Sequence, residues 1–534
     1  VHTSNKSFKT LYLIESALIY LKGPKFLIYV SGALSMWGDR MWHFAISVFL
    51  IELYGHNLLL TGIFGLVVAG SVLLLGALIG DWVDRNPRNK VALCAYCLWL
   101  VIAEHKHSCC YDIVVCYTVV IVLANVANLA STALTIAIQR DWIVVITGYN
   151  RGHLAGMNAT MRRIDQVTNI LAPLAVGQVM TLASNVVGCG FILGWNLVSL
   201  IVEFIFLSRV YRIVPALSAK PPAMEHQSYL EKKRERKRSQ GKTRLKPMKY
   251  NVYLKLHSVV WCAFYTCREG WRAYYRQPVF LAGLGLAFLY TTVLGFDCIT
   301  TGYAYTQGIS GSLLSILMGV SAVAGLLGTV LFTKLRKACG LVNTGVISSA
   351  LHLVCLLLCL WSVFAPGSPM DLSILNMGNA SDVGGMTGGH QRHIYPLRGG
   401  SNQPLLPDRS SIHWTNNTVL FENAPAGTEP ESYVSIILLF LGVITARVGL
   451  WSFDLTVTQL LQETICESER GAVNGVQSSM NYLMDLLHFI MVISAPQPQH
   501  FGILVIISIL FIFTGHTMYF LYARKIKRKP RTNT

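Results

Sequence analysis

Charged side chains are scarce in this sequence, and their scarcity excludes an ordinary soluble domain. Only 13% of the 534 residues are Asp, Glu, Lys or Arg, whereas soluble domains carry roughly 25%. Hydrophobic residues make up 53% of the chain. So much apolar sequence is expected when repeated long runs each cross a bilayer about 30 Å thick. We therefore predict an all-α polytopic membrane protein.

The sequence also lacks the motifs of common enzymes. It has no Gly-rich phosphate loop, nucleophile elbow or His-Glu-x-x-His, so we predict a protein that is not an enzyme and has no prosthetic group. Its 13 cysteines are scattered and show neither a disulfide framework nor a zinc spacing. The net charge of +18 lies mostly in hydrophilic connectors, which indicates membrane topology rather than a nucleic-acid partner.

Twelve apolar segments are candidate membrane spans. The third is weak, because it is shorter than the roughly 20 residues that a span usually needs. The segments are 26–54, 61–82, 90–104, 111–138, 155–183, 186–211, 278–305, 309–335, 341–364, 433–463, 473–495 and 500–523.

Two long connectors set the predicted topology. The connector at 212–277 is rich in Lys and Arg, which predicts a cytoplasmic loop. The connector at 365–432 contains sequons at Asn379 and Asn416, which predict an extracellular, glycosylated loop. We therefore predict a six-helix lobe at 1–211, a second six-helix lobe at 278–524, a cytoplasmic tail at 525–534 and both termini in the cytoplasm. No cleavable signal peptide is evident.

A turn after the second apolar segment combines an Asp-Arg pair with further cations. It runs from Gly80 to Lys90 and includes Asp84 and Arg85, and a degenerate echo follows the eighth segment at Lys334–Gly340. The repetition favours a charged latch across the ends of helices. The alternative is an ordinary basic turn that follows the positive-inside rule.

Ionisable residues inside the apolar segments are candidate functional residues, since each costs roughly 2.5–3.5 kcal/mol at a helix centre. Asp39 and His43 are four residues apart in the first segment and share one helical face. A carboxylate and an imidazole suit a divalent first-row metal. The alternative is an ion pair that only joins helices.

The second half contains a comparable donor set. Asp297 and Cys298 lie among glycines and threonines in the seventh segment, a composition typical of a discontinuous helix that lines a binding site. Asp485 and His488 share a face in the eleventh segment. One metal site per half follows, at Asp39/His43 and at Cys298/His488. These mixed donors favour Fe, Co or Zn, and protons compete with the metal for them.

Further charges near the inner helix ends are candidate gate residues that form alternative ion pairs. They are Asp141, Arg162, Arg163, Asp165, Asp454, Glu463, Glu467 and Arg470. Static helix-end charges are the alternative interpretation.

Several long motifs resemble the ferroportin family of vertebrate iron exporters. They are Trp37–Tyr54, Gln139–Val144, Arg162–Pro173, Gln277–Tyr305, Gly449–Gln462 and Met480–Met491. The resemblance implies a major facilitator fold of about 12 transmembrane helices and export of ferrous iron by alternating access, coupled to protons. It implies metal sites at Asp39 and His43 and at Cys298 and His488, while the donor chemistry also allows Co²⁺ and Zn²⁺.

The resemblance has additional implications for regulation. It implies a role in transport for Asp165 and a link to calcium for Asn196 and Glu203. It implies that the peptide hormone hepcidin binds at Cys298, Tyr305 and Phe489. The implied setting is the plasma membrane, basolateral in polarised cells, with lipid and an extracellular ferroxidase as partners.

The sequence departs from the family at three places, which are a short region at 93–112, a basic loop at 220–260 and a different tail after Lys525. Two alternative functions therefore stay open. The chain could carry an organic solute, with the metal-like residues joining helices, or it could be a receptor that transports nothing.

Overall fold

The computed structural model describes most of the apolar segments and few of the connectors. It describes residues 21–53, 59–86, 113–148, 150–218, 252–295, 300, 303–304, 307, 309, 311–368, 432–494 and 500–528. The predicted third span at 90–104 and the two sequons lie outside these residues.

Every regular element in the described residues is a helix. The first half comprises α1 (Pro24–Leu53), α2 (Leu59–Arg85), α3 (Ile113–Leu134), a π-helix (Thr135–Trp142), α4 (Ile143–Ile146), α5 (Arg151–Leu182) and α6 (Asn185–Ile213). After a 3₁₀ turn at Pro215–Leu217 come α7 (Val252–Arg276), α8 (Phe280–Phe288), α9 (Gly311–Cys339), α10 (Leu341–Phe364), α11 (Val434–Thr464), α12 (Arg470–Ser494) and α13 (Phe501–Arg528), with a 3₁₀ turn at Glu467–Glu469.

Seven described helical segments are long and apolar enough to cross a membrane. They are Gly65–Arg85, Ala124–Ile146, Val187–Ile213, Ile316–Cys339, Leu341–Phe364, Val434–Thr464 and Phe501–Arg528. Helices α1, α5 and α12 are also long, with 30, 32 and 25 residues, but they carry the ionisable and amide residues of the predicted sites. The polytopic all-α prediction is confirmed, and the number of twelve spans stays a prediction.

The helices pack mainly within each half of the chain. In the first half, α1 packs on α5 and α6, and α2 packs on α3. In the second half, α11 packs between α9 and α10, and α13 packs on α8 and α10. The halves meet where α2 lies against α12 and where α5 lies against α9. The exact lobe boundaries stay a prediction.

The seventh predicted span is discontinuous in the structure. Its helix α8 ends at Phe288, and residues 289–295 are turns and bends. Thr291 Oγ1 donates a hydrogen bond to the Met484 carbonyl on α12 at 2.9 Å, and the Val293 N–H donates to Ser508 Oγ on α13 at 3.0 Å. These contacts satisfy backbone and side-chain groups at the break, as a non-helical segment within a membrane requires. The break begins before Gly295, earlier than the sequence predicted.

The predicted loop at 212–277 is helical over its last part. Helix α7 occupies Val252–Arg276, and its lower apolar content explains why hydropathy did not reveal it. Buried Tyr274 donates a hydrogen bond to Gln477 Oε1 on α12 at 2.7 Å.

Candidate functional site

A polar cavity of about 310 Å³ lies in the first half and is bordered by α1, α3, the π-helix, α5 and α11. Asp39 and His43 line it together from one face of α1, as their spacing predicted. The His43 side chain is exposed to this space. The structure therefore brings the first predicted metal pair together at a solvent-accessible cavity.

Asp39 is oriented by a neighbouring helix. Its Oδ2 accepts a hydrogen bond from Ser131 Oγ of α3 at 2.8 Å, which leaves the carboxylate further acceptor positions. A smaller cavity of about 30 Å³ lies beside Asp39 and is also bordered by Asn196 and Glu203. Asp39 thus borders both cavities, and the two predicted calcium-linked residues lie next to it.

The calcium-linked residues are both buried on α6. Glu203 Oε1 accepts a hydrogen bond from Ser199 Oγ. Asn196 packs against α1 at Gly38, where a Cβ would overlap the amide oxygen of Asn196. The absence of a side chain at Gly38 therefore lets the Asn196 amide approach the helix that carries Asp39. Among the described residues, no three His, Cys, Asp or Glu side chains form a ready metal site.

Asp165 joins two helices beside the cavity. Its carboxylate pairs with Arg40 of α1 at 2.8 Å and with Arg162 of α5 at 3.1 Å. Arg162 in turn pairs with Asp454 of α11 at 2.5 Å and lies over the Trp451 ring at 4.7 Å. The chain of charges therefore extends from α1, which carries Asp39 and His43, to the second half of the molecule.

Several contacts join the two halves at one end of the helices. We call this end, which contains Asp84, Asp141, Arg151, Glu463 and Arg470, the tied end. Arg470 of α12 pairs with Asp141 of the π-helix at 2.9 Å, and both side chains are buried. Arg151 pairs with Glu463 at 3.4 Å. Each of these contacts pairs one charge from either half, and the gate role of the charges stays a prediction. Arg163 differs, since it donates to the Thr329 hydroxyl at 2.8 Å.

The predicted latch is present in a form that the sequence did not specify. Asp84 accepts hydrogen bonds from the backbone N–H groups of Gly471 and Ala472 at 2.8 and 2.7 Å. These N–H groups begin α12, where backbone donors lack partners within the helix and the dipole favours an anion. Arg85 pairs within its own helix, with Asp81 at 2.8 Å. The latch is thus a hydrogen-bonded contact between the Asp84 carboxylate of the first half and the N-terminus of α12 in the second half.

The second predicted metal site is described only in part. His488 is buried, its Nδ1 lies 3.8 Å from Asp485 Oδ1, and its ring stacks on Phe489 at 5.4 Å between centroids. Phe489 also packs near Gly65 of α2. Asp297, Cys298 and Tyr305 lie outside the described residues, so the pairing of Cys298 with His488 stays a prediction.

Three polar features were missed from the sequence. Gln462 of α11 donates to the Gln139 carbonyl at 2.8 Å and also bonds Asn158, so amides join the halves beside the charges. The eight-residue π-helix that carries Gln139 and Asp141 has no local sequence signal, although such segments often occur at functional sites. His352 and His516 form a buried pair with ring nitrogens 2.9 Å apart, inside the second half.

We expect the Arg162–Asp454 pair to stabilise the contact between the halves measurably. Asp454→Asn should lower the unfolding free energy by about 1–3 kcal/mol, because it weakens a largely buried ion pair. In a double-mutant cycle, Arg162→Ala and Asp454→Ala should be non-additive in thermal unfolding of the purified protein. The Arg85/Asp81 pair is the matched control, with an expected coupling within about 1 kcal/mol. Additive effects at Arg162 and Asp454 would contradict the gate assignment.

Comparisons with known proteins match one family along almost the whole chain. The family model described as Ferroportin1 (FPN1) matches residues 22–512. The chain is 55% identical to a ferroportin of Homo sapiens, over 95% of this chain and 92% of that protein. It is 52% identical to solute carrier family 40 member 1 of Danio rerio, over the same shares.

Solved structures of bacterial proteins share the fold. A bacterial homologue of the iron transporter ferroportin, in an outward-facing state with soaked iron, has a TM-score of 0.66 and 18% identity, over 93% of this chain and 98% of that one. An inward-facing state of a bacterial homologue has a TM-score of 0.53 at 18% identity, over 94% and 98%. The predicted major facilitator fold is confirmed.

Proposed function

This chain belongs to the ferroportin family, and from that membership we propose that it exports ferrous iron through the cavity at Asp39 and His43. The observation that carries the proposal is the placement of these two donors on one accessible face of α1, at a cavity that reaches the contact between the halves. A transporter, rather than an enzyme, is the activity that the family supports.

The donors suit the proposed cargo. A carboxylate and a neutral imidazole are ligands that borderline first-row cations accept, whereas Mg²⁺ and Ca²⁺ prefer oxygen. Asp39 supplies charge, and Ser131 fixes its orientation. We propose a second site at Cys298 and His488, so that each half offers one. Co²⁺ and Zn²⁺ suit the same donors.

The charge distribution supports an orientation in the membrane. The tied end carries Arg85, Arg151 and Arg470, and an excess of arginine is typical of the cytoplasmic side. We propose that the structure represents a state closed toward the cytoplasm. Alternating access then requires the cross-half pairs at Arg162, Asp141 and Asp84 to break when the tied end opens.

Proton coupling follows from the ligands themselves. Because a metal binds deprotonated donors, protons that reach Asp39 and His43 displace it, and metal binding releases them. This competition supports antiport of iron and protons. Calcium has a separate proposed role, since Asn196 and Glu203 offer oxygen atoms beside Asp39 and an ion there would share the Asp39 carboxylate.

The remaining expectations rest on family membership alone. They are a plasma-membrane location that is basolateral in polarised cells, cytoplasmic termini, glycosylation at Asn379 and Asn416, binding of hepcidin at Cys298, Tyr305 and Phe489, and cooperation with lipid and an extracellular ferroxidase.

A flux assay in proteoliposomes tests the proposed function. With a pH gradient, we expect Fe²⁺ flux to exceed that of Ca²⁺ and to move protons in the opposite direction, with Co²⁺ and Zn²⁺ as comparison ions. The double variant Asp39→Ala with His488→Ala should reduce iron flux to the level of empty liposomes. Flux equal to wild type in this variant, at equal protein incorporation, would refute the iron pathway.

One observation favours a second candidate function. The cavity wall includes Arg40, Arg140 and Arg162 beside its carboxylates, which would suit an organic anion. Isothermal calorimetry distinguishes the two functions. Binding of Co²⁺ that Asp39→Ala abolishes supports the metal pathway, and an absence of metal binding together with uptake of an organic anion supports the alternative.

A further inference from the structure

Helix α7 lies across the seam between α2 and α12, and one of its faces contacts both halves of the molecule. At Gly270, a Cβ would lie 3.5 Å from Ala77 of α2 and 3.5 Å from Val476 of α12. The Cys267 thiol lies 3.8 Å from the Leu74 carbonyl of α2. With Tyr274 bonded to Gln477, this face is bound to both sides of the seam.

The opposite face of α7 is an exposed stripe of aromatic and basic residues. Trp261, Phe264 and Tyr265 are 65%, 63% and 48% exposed. Exposed arginines continue the same stripe at positions 268, 272 and 276, since steps of three, four and seven residues return to one helical face. We call these six residues the α7 stripe.

The α7 stripe carries a net positive charge. Among the described residues, the acid beside it is Glu269, 3.7 Å from Arg272, and Arg272 remains 56% exposed. Asp81 on the neighbouring helix is occupied by Arg85 at 2.8 Å. An anion that approached the α7 stripe would therefore meet three accessible guanidinium groups with little competition.

The residues of the α7 stripe change from aromatic to basic toward the tied end. Just after its basic end, Gln277 donates to Glu469 at the tied end, at 3.2 Å. Cys267 lies beside Leu74, which is 71% exposed and eleven residues before the end of α2, or about 16 Å along the axis. Trp261 and Phe264 follow further from the tied end. Arg272 and Arg276 thus lie nearer the tied end, Arg268 lies level with Leu74, and the aromatic rings lie further from the tied end.

We propose that the α7 stripe binds an anionic phospholipid. The headgroup phosphate and carboxylate accept hydrogen bonds from Arg272 and Arg276, Arg268 adds positive charge deeper along the helix, and an acyl chain lies along Trp261 and Phe264. Charge complementarity selects anionic over zwitterionic lipid, and aromatic side chains are favoured at the membrane interface. Because α7 contacts both halves, bound lipid adds to the contacts that close the tied end.

Native mass spectrometry of the purified full chain tests this site with phosphatidylserine and phosphatidylcholine. Each arginine near an anionic surface contributes about fivefold in binding, so Arg268→Gln, Arg272→Gln and Arg276→Gln together should weaken phosphatidylserine binding about 100-fold. The matched control replaces Lys525, Lys527 and Arg528 by Gln at the end of α13, which removes equal charge away from α7 and should leave the affinity unchanged within about twofold.

Further variants show whether a loss of binding comes from lost charge or from misfolding. A comparison with inorganic phosphate shows whether the site binds lipid or any anion. Replacing the three arginines by lysine should retain most of the binding, which excludes misfolding as the cause. Trp261→Ala should weaken phosphatidylserine binding more than Trp361→Ala, an exposed aromatic on α10. Equal loss in both triple-glutamine variants would overturn the proposal. So would binding of inorganic phosphate to the α7 stripe as strong as that of phosphatidylserine.

Discussion

Asp39→Asn is expected to reduce iron efflux from loaded cells at least tenfold. The asparagine keeps the shape of the side chain and still offers an oxygen to Ser131, but it removes the negative charge from the proposed metal site. An interaction with a charged group contributes about 1.5–3 kcal/mol, which corresponds to roughly a tenfold loss or more. Efflux of radioactive iron at equal surface expression measures the effect.

The matched control for Asp39→Asn is Asp81→Asn. Asp81 is another carboxylate of the first half, paired with Arg85 at 2.8 Å and absent from the residues that line the cavity. Its replacement should change efflux by less than twofold. Equal activity of Asp39→Asn and Asp81→Asn would show that the carboxylate on α1 is not a ligand of the transported ion.

Gly80→Val is expected to abolish most transport by separating the halves at the tied end. A Cβ at Gly80 would lie 2.7 Å from the Gly471 carbonyl carbon and 2.9 Å from the Ala472 Cα. These neighbours are backbone atoms at the start of α12, so relief requires movement of the helix rather than of a side chain. The same movement would pull Asp84 from its two N–H partners. Overpacking of this kind costs about 1–3 kcal/mol.

Gly70→Val provides the control for Gly80→Val on the same helix. A Cβ at Gly70 meets no atom within 4 Å, so this variant should retain wild-type efflux and thermal stability. Gly80→Val should lower both, and it should make the tied end more accessible to a membrane-impermeant thiol reagent at an introduced cysteine. Wild-type stability and accessibility in Gly80→Val would show that α2 and α12 do not need this close approach.

The sequence predicted those site features that depend on neighbours along one helix. Asp39 and His43 meet because four residues make about one turn, and Asp485 and His488 share a face for the same reason. The length and hydropathy of the apolar segments predicted the helices around them. The order in which α1, α5 and α6 pack did not follow from these local patterns.

The contacts between the halves could not be derived in this way. Gln462 reaches Gln139 and Asn158 across more than 300 residues of chain, and an amide in an apolar helix does not specify its partner. Asp84 was expected in a latch, but its actual partners are backbone N–H groups, which exist only once α12 has begun at that position. Helix α7 was hidden in a basic connector because its basic residues lower its apolar content below that of the membrane spans.

The π-helix at Thr135–Trp142 changes which side of this transmembrane helix the residues after it face. A π turn contains one residue more than an α turn, so it shifts the rotational phase of everything beyond it. Ser131 lies before this segment and bonds Asp39, whereas Asp141 lies within it and pairs with Arg470. A single-residue deletion at Ala137 would restore an ordinary α repeat and put these two contacts out of phase. The Ser131 contact to Asp39 and the Asp141–Arg470 pair are therefore linked through the π-helix of one membrane segment.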